Sequence, residues 1–347
     1  MNATLSGAVR QLRAVWILVL VALGLYIATP LFLTAPNMLN VLLAVSITGL
    51  AAVAQTYVII LAEIDLSVGA VLGLAGVISA MLLRPYGVVV ALVAGLLVGL
   101  GAGLINGILV TKFRMPSFIV TLAMMMALSG TTLWLTQGNP VRIDDPLYSA
   151  IGRSRPLDVP APVWIVVVAF VVFGLLLART RFGRYVYATG DNIDAARLSG
   201  VNVDRVKIIA FMMSGGLSAI AGFILAARLS AAQPTAGSGL ELSVIAAVIL
   251  GGTSLAGGRG TIIGTAIGAF LLGIIDNGLN LLDVSPFLQD VVKGIVILLA
   301  VFFDRNSELV SHLVGALRFP RRKPGAQGPA PASSEIPAPD PRIISAR

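Results

Sequence analysis

The chain has 347 residues, 57% of them hydrophobic and only 12% charged, with a formal net charge of +8 and no cysteine. A water-soluble domain averages about 45–50% apolar and about 25% charged residues, so a large soluble core is excluded and a membrane-embedded chain is expected. Without cysteine there are no disulfides, thiolate metal sites or cysteine nucleophiles, and without a soluble basic domain the positive balance does not read as a nucleic-acid surface.

Residues 1–13 carry Arg10 and Arg13 and lead into an apolar run from Ala14 to Phe32. The run is long for a signal peptide and no small-residue cleavage site follows it. An uncleaved first helix is expected, with Trp16 at its cytoplasmic interface. Further apolar spans fall near 39–61, 66–83, 88–110, 117–135, 162–178, 208–228, 241–256, 260–282 and 288–303. Runs of about 20 apolar residues cross roughly 30 Å of hydrocarbon. The expected fold is therefore all-α and polytopic, with about ten transmembrane helices and both termini in the cytoplasm.

Charge tests that topology. The loops placed inside hold Lys112, Arg114, the segment 178–207, Arg259 and the basic tail, as the positive-inside rule requires. The outside loop 136–161 balances Arg142, Arg153 and Arg155 against Asp144, Asp145 and Asp158, with Trp134 and Trp164 at its membrane edges. Arg84 and Arg228 are outside exceptions, and the eighth and tenth spans are short.

Glycines recur every fourth residue at Gly95, Gly99, Gly103 and Gly107, and again at Gly260, Gly264 and Gly268. Such faces let helix backbones approach closely in lipid; close packing is the plainer reading and a permeation path the other. There is also an internal echo. Ile64-Asp65-Leu66-Ser67-Val68 is similar to Leu240-Glu241-Leu242-Ser243-Val244, and the Asn106 region to that of Asp276 and Asn277. The echo predicts an inverted repeat of helices 2–5 and 7–10, an arrangement common among transporters. A transmembrane domain is expected over 1–304 and a Pro- and Ala-rich disordered cytoplasmic tail, with the single histidine His312, over 305–347.

The densest charge outside the tail lies between Ala178 and Lys207. A short helix is predicted inside it over Asn192–Leu198, begun by Asp191 or Asn192 and ended at Gly200. Candidate pathway residues are the polar groups in or beside the spans: Asp65, Ser67, Asn106, Glu241, Asp276, Asn277 and Asn280. Ionisable groups there are costly and so suspect of function, although Asp65 and Glu241 also stand where a carboxylate caps a helix. Lys293 is expected to pair with Asp290 or a facing acid. The Gly251–Thr261 run lacks the Gly-Lys-Ser/Thr ending of a nucleotide loop, so any energy from ATP has to come from another subunit.

Ala62-Glu63-Ile64-Asp65-Leu66-Ser67-Val68-Gly69, with Val71 to Gly76 after it, resembles a signature of ribose-type (monosaccharide/autoinducer) ABC importer permeases. Ile249 to Gly260, continuing to Asn277-Gly278-Leu279-Asn280, resembles that family's C-terminal signature, and the likeness extends over 35–305. Glu63 departs from it, standing where the family usually has Gly. The resemblance implies a homodimer in the inner membrane, a cytoplasmic ATPase partner that holds the ATP and Mg, a periplasmic solute-binding protein, and no cofactor or catalytic residue in this chain. It also implies a coupling contact at Asp194, Ala195, Ala196, Arg197, Leu198, Ser199 and Gly200, which is similar to the E-A-A-x-x-x-G motif of ABC permeases. A monosaccharide is the expected solute; a branched-chain amino-acid permease and a secondary transporter are the alternatives.

Overall fold

The structure, a computed structural model, describes residues 2–305. Most of the tail expected over 305–347, including His312, lies outside the described residues. Among the described residues twelve α-helices run in chain order: α1 (Asn2–Ala28), α2 (Ala35–Ile60), α3 (Val68–Thr111), α4 (Ser117–Thr136), α5 (Pro146–Arg153), α6 (Ala161–Arg179), α7 (Arg181–Asp191), α8 (Ile193–Leu198), α9 (Val203–Leu229), α10 (Leu240–Leu250), α11 (Ile262–Leu281) and α12 (Pro286–Arg305). Among the described residues, α2, α3, α4, α6, α9 and α11 are long and apolar enough to cross a membrane. The chain is an all-α, multi-pass membrane protein.

Prolines stand in the first turn of α2, α5 and α6, where the missing N–H costs nothing. The α3 helix is long because two apolar runs join across a break. Pro85 lies inside it, and Gly87 takes φ +78°, a left-handed conformation that turns the chain. It is therefore two arms, and the expected spans 66–83 and 88–110 are those arms.

The second arm of α3 packs along α9, and its glycine stripe makes the approach possible. A Cβ at Gly99 would overlap the Gly215 carbonyl, and one at Gly103 the Phe211 carbonyl. The second stripe does the same for α10 and α11, where Gly264 meets the Gly251 carbonyl and Gly268 the Ala247 carbonyl. Both stripes are packing faces.

Strands β1 (Val141–Arg142) and β2 (Ala231–Ala232) pair antiparallel, Val141 opposite Ala232. Beside them Tyr148 of α5 is fully buried with its hydroxyl 2.6 Å from Ser79 Oγ. Burial pushes its phenol up to about 12. Arg84, an exception to the charge rule, pairs with Asp144 at 3.0 Å in this same layer.

The α10 helix has 11 residues, about 16 Å at 1.5 Å per residue, which cannot cross the hydrocarbon alone. The peptide before it lengthens the segment. Pro234 lies against Gly73 and Gly237 against Gly69, so residues 231–239 run back along the first arm of α3 to its N-terminus. α10 therefore starts inside the bundle.

Candidate functional site

Two helix starts meet where residues 62–68 and 233–241 approach each other. A Cβ on Gly69 would overlap the Gly237 carbonyl, and one on Gly237 the Gly69 carbonyl, so only glycine at both positions permits the contact. The first peptide carries Asp65. Its Oδ1 accepts from the Ser67 N–H at 2.9 Å and the Ser67 hydroxyl at 2.6 Å, a short turn closed by the side chain. Its Oδ2 accepts from the Ser214 hydroxyl of α9 at 2.7 Å, and Asn106 Nδ2 donates to Ser67 Oγ at 3.0 Å. Asp65 is 1% exposed. Three of the predicted pathway residues are thus one sealed network joining the start of α3, its second arm and α9.

The second peptide carries Glu241, in the first turn of α10. Its Oε2 lies 2.8 Å from where a Cβ on Gly69 would stand. Its carboxylate has no hydrogen-bond or ion-pair partner among the described residues. It borders a cavity of about 300 Å³ whose walls include Met125, Met126 and Ser129 of α4 and Ser238. Ser129 is 12 residues into the 20-residue α4, which places the cavity near the middle of that helix.

The remaining candidates hold helices together. Asn277 and Asn37 exchange two hydrogen bonds at 2.8 Å, tying α11 to α2. Asn280 accepts from Gln289 at 3.0 Å. Lys293 of α12 pairs with Asp276 at 3.4 Å and with Asp290 at 3.8 Å, so both expected partners are engaged.

The polar segment folds as two helices. α7 is amphipathic, with Gly183, Val186 and Thr189 buried, and Gly190 rests against the Ile60 carbonyl and the Gly258 N–H. Tyr187 donates to the Gly260 carbonyl at 2.7 Å, and burial raises its phenol above the ordinary value. The predicted α8 follows, with Asn192 Oδ1 accepting from Ala195 N at 2.9 Å and Gly200 closing it at φ +81°. Ala196 faces inward, whereas Leu198 is 90% exposed. Arg197 lies 3.8 Å from Asp204, which also holds Lys112 at 2.7 Å.

A family model described as "Branched-chain amino acid transport system / permease component" matches residues 37–301. The chain belongs to this permease family. Ribose import permease protein RbsC of Escherichia coli (strain K12) is 46% identical to it over 310 residues, 88% of this chain and 96% of that protein. RbsC of Bacillus subtilis (strain 168) is 47% identical over 304 residues, covering 87% and 94%. L-arabinose transport system permease protein AraH of Escherichia coli (strain K12) is 40% identical over 296 residues, covering 83% and 88%. No solved structure matches the chain. The likeness read from the two signatures is thereby shown, and it is the ribose type of permease within the matched family.

The permease also contains functional geometry that its sequence did not announce. Ser214 completes the Asp65 network from 149 positions away, marked only by its place beside Gly215-Gly216 in an apolar span. Glu63, the departure from the family pattern, forms an ion pair with Lys207 in which the side chains are 13% and 11% exposed. The extra charge therefore ties the peptide before α3 to the base of α9. The α7 helix was legible as Phe182, Val186 and Thr189 at helical spacing, but the surrounding charge concealed it.

Proposed function

We propose that this permease is the membrane-spanning subunit of an ATP-driven importer of a monosaccharide. The observation that carries the reading is 46% identity with a ribose import permease sustained over 88% of the chain. The amino-acid description of the family model is broader than the sugar permeases matched end to end, and those matches favour the sugar.

The partners are a cytoplasmic ATPase that binds ATP and Mg, a periplasmic solute-binding protein and a second copy of this chain in the inner membrane. Ten crossings are α1, α2, the two arms of α3, α4, α6, α9, α10, α11 and α12, with both termini cytoplasmic. An inverted repeat of helices 2–5 and 7–10 is supported by the two meeting peptides, each leading an acid-x-Ser sequence into a helix. The coupling contact is Asp194 to Gly200, with Leu198 offered to a cleft in the ATPase. Its push would reach the bundle through Gly190, seated on the end of α2 and on the Gly257-Gly258 turn.

The test is uptake into proteoliposomes holding the permease and its ATPase, with ribose-loaded binding protein outside and ATP inside. The reading predicts ATP-dependent ribose uptake that leucine does not compete for. Uptake by this chain alone, driven by an ion gradient and indifferent to ATP, would overturn it. Ala195→Asp, at an exposed position of α8, is expected to leave insertion intact and to abolish coupling between hydrolysis and transport.

A further inference from the structure

We infer that the cavity beside Glu241 is the station at which the solute rests within the membrane, and that it selects an uncharged polyhydroxylated molecule. This rests on the importer reading and adds to it a place and a chemistry. Four features of the cavity converge on it.

The first is size. About 300 Å³ is at the lower end of the range for small-molecule sites, roughly 300–1,000 Å³, and suits a single sugar ring rather than an oligomer. The second is an unanswered charge. A carboxylate within a membrane protein ordinarily faces a cation, a set of hydrogen-bond donors or water. Asp65 has its donors, whereas Glu241 has none among the described residues. Sugar hydroxyls are donors of the required kind, and a hydrogen bond to an ionised acceptor is stronger than a neutral one.

The third feature is the arrangement of the walls. Ser129 and Ser238 supply hydroxyls that both donate and accept, while Met125 and Met126 supply a deformable apolar surface. A sugar ring presents hydroxyls at its edge and C–H groups on its faces, so both kinds of wall are used. The fourth is position. The floor is the Gly69–Gly237 contact, where two helix starts touch across the bundle. Parting that contact would open a passage, and neither glycine tolerates a side chain while it is closed.

The chain has no cysteine, so single thiols can be placed without removing any. The experiment uses the complete importer in proteoliposomes with Ser129→Cys, Ser238→Cys, and Val168→Cys on the exposed face of α6, and a small water-soluble methanethiosulfonate reagent. Modification of the first two but not the third is expected, slowed when ribose-loaded binding protein and ATP are present. In parallel, Glu241→Gln is expected to lower ribose uptake by about tenfold, the loss of one charged hydrogen bond. Val168→Cys, outside the cavity, should keep ATP hydrolysis stimulated by the loaded binding protein within about twofold of the parent. Thiols that the reagent does not reach, thiols that ribose does not protect, or native uptake by Glu241→Gln would each overturn the assignment. Uptake by the unaltered importer is measured alongside: if it persists while the cavity results fail, the cavity assignment alone falls. If it fails, the importer reading falls.

Discussion

The acid in Ile64-Asp65-Leu66-Ser67-Val68 is sealed from solvent and accepts three hydrogen bonds, while the acid in Leu240-Glu241-Leu242-Ser243-Val244 borders a cavity and accepts none from the described residues. The two pentapeptides differ in helix phase. α3 begins at Val68, so Asp65 lies in the extended approach and its carboxylate folds back onto Ser67. α10 begins at Leu240, so Glu241 is already in the first turn. Ser243 Oγ lies 3.5 Å from the Gly239 carbonyl instead of reaching the acid. A shift of a few residues in where the helix starts converts a structural acid into one free to meet a solute.

The difference can be broken first at Asp65. Asp65→Ala leaves two hydroxyls and one N–H without their acceptor, at about 1–3 kcal/mol for each buried group. A loss of about 4 kcal/mol overall is expected in the thermal melt of the purified permease. Next is the ion pair that pins the same peptide. Lys207→Met strands Glu63 and should cost about 3 kcal/mol. Adding Glu63→Gly, the residue usual in the family, should recover most of it, and a double-mutant cycle without coupling would refute the pair's role. Gly69→Ala presses a methyl group into the Gly237 backbone, with an expected cost of about 2 kcal/mol. Its uptake should fall by more than its melting temperature explains, because the crossing has to part and close. Smallest in stability is Glu241→Gln, at about 0.5 kcal/mol or less, since no bond to the protein is removed.

The helices were legible because hydrocarbon thickness fixes the length of an apolar run, and both α8 and the break at Gly87 were legible because a capping Asn192 and a Gly between two apolar runs are local signals. The burial of Asp65 was not, since it depends on Ser214, which only the packing of α9 against α3 brings near. The same holds for Lys207 opposite Glu63. Nor did sequence distinguish Glu241 from Asp65, as both precede or begin an apolar helix with Ser two positions on. The partner of Asn277 was equally hidden, since Asn37 lies 240 positions away and only the packing of α11 on α2 brings the two amides together.

The most direct measurement compares Asp65→Ala with Glu241→Gln in the same reconstituted importer, recording melting temperature and ATP-driven ribose uptake for each. A lowered melting temperature for Asp65→Ala, beside an unchanged melting temperature and about tenfold weaker uptake for Glu241→Gln, is the result predicted here. Destabilisation by Glu241→Gln, or full stability of Asp65→Ala, would contradict the division between the two acids.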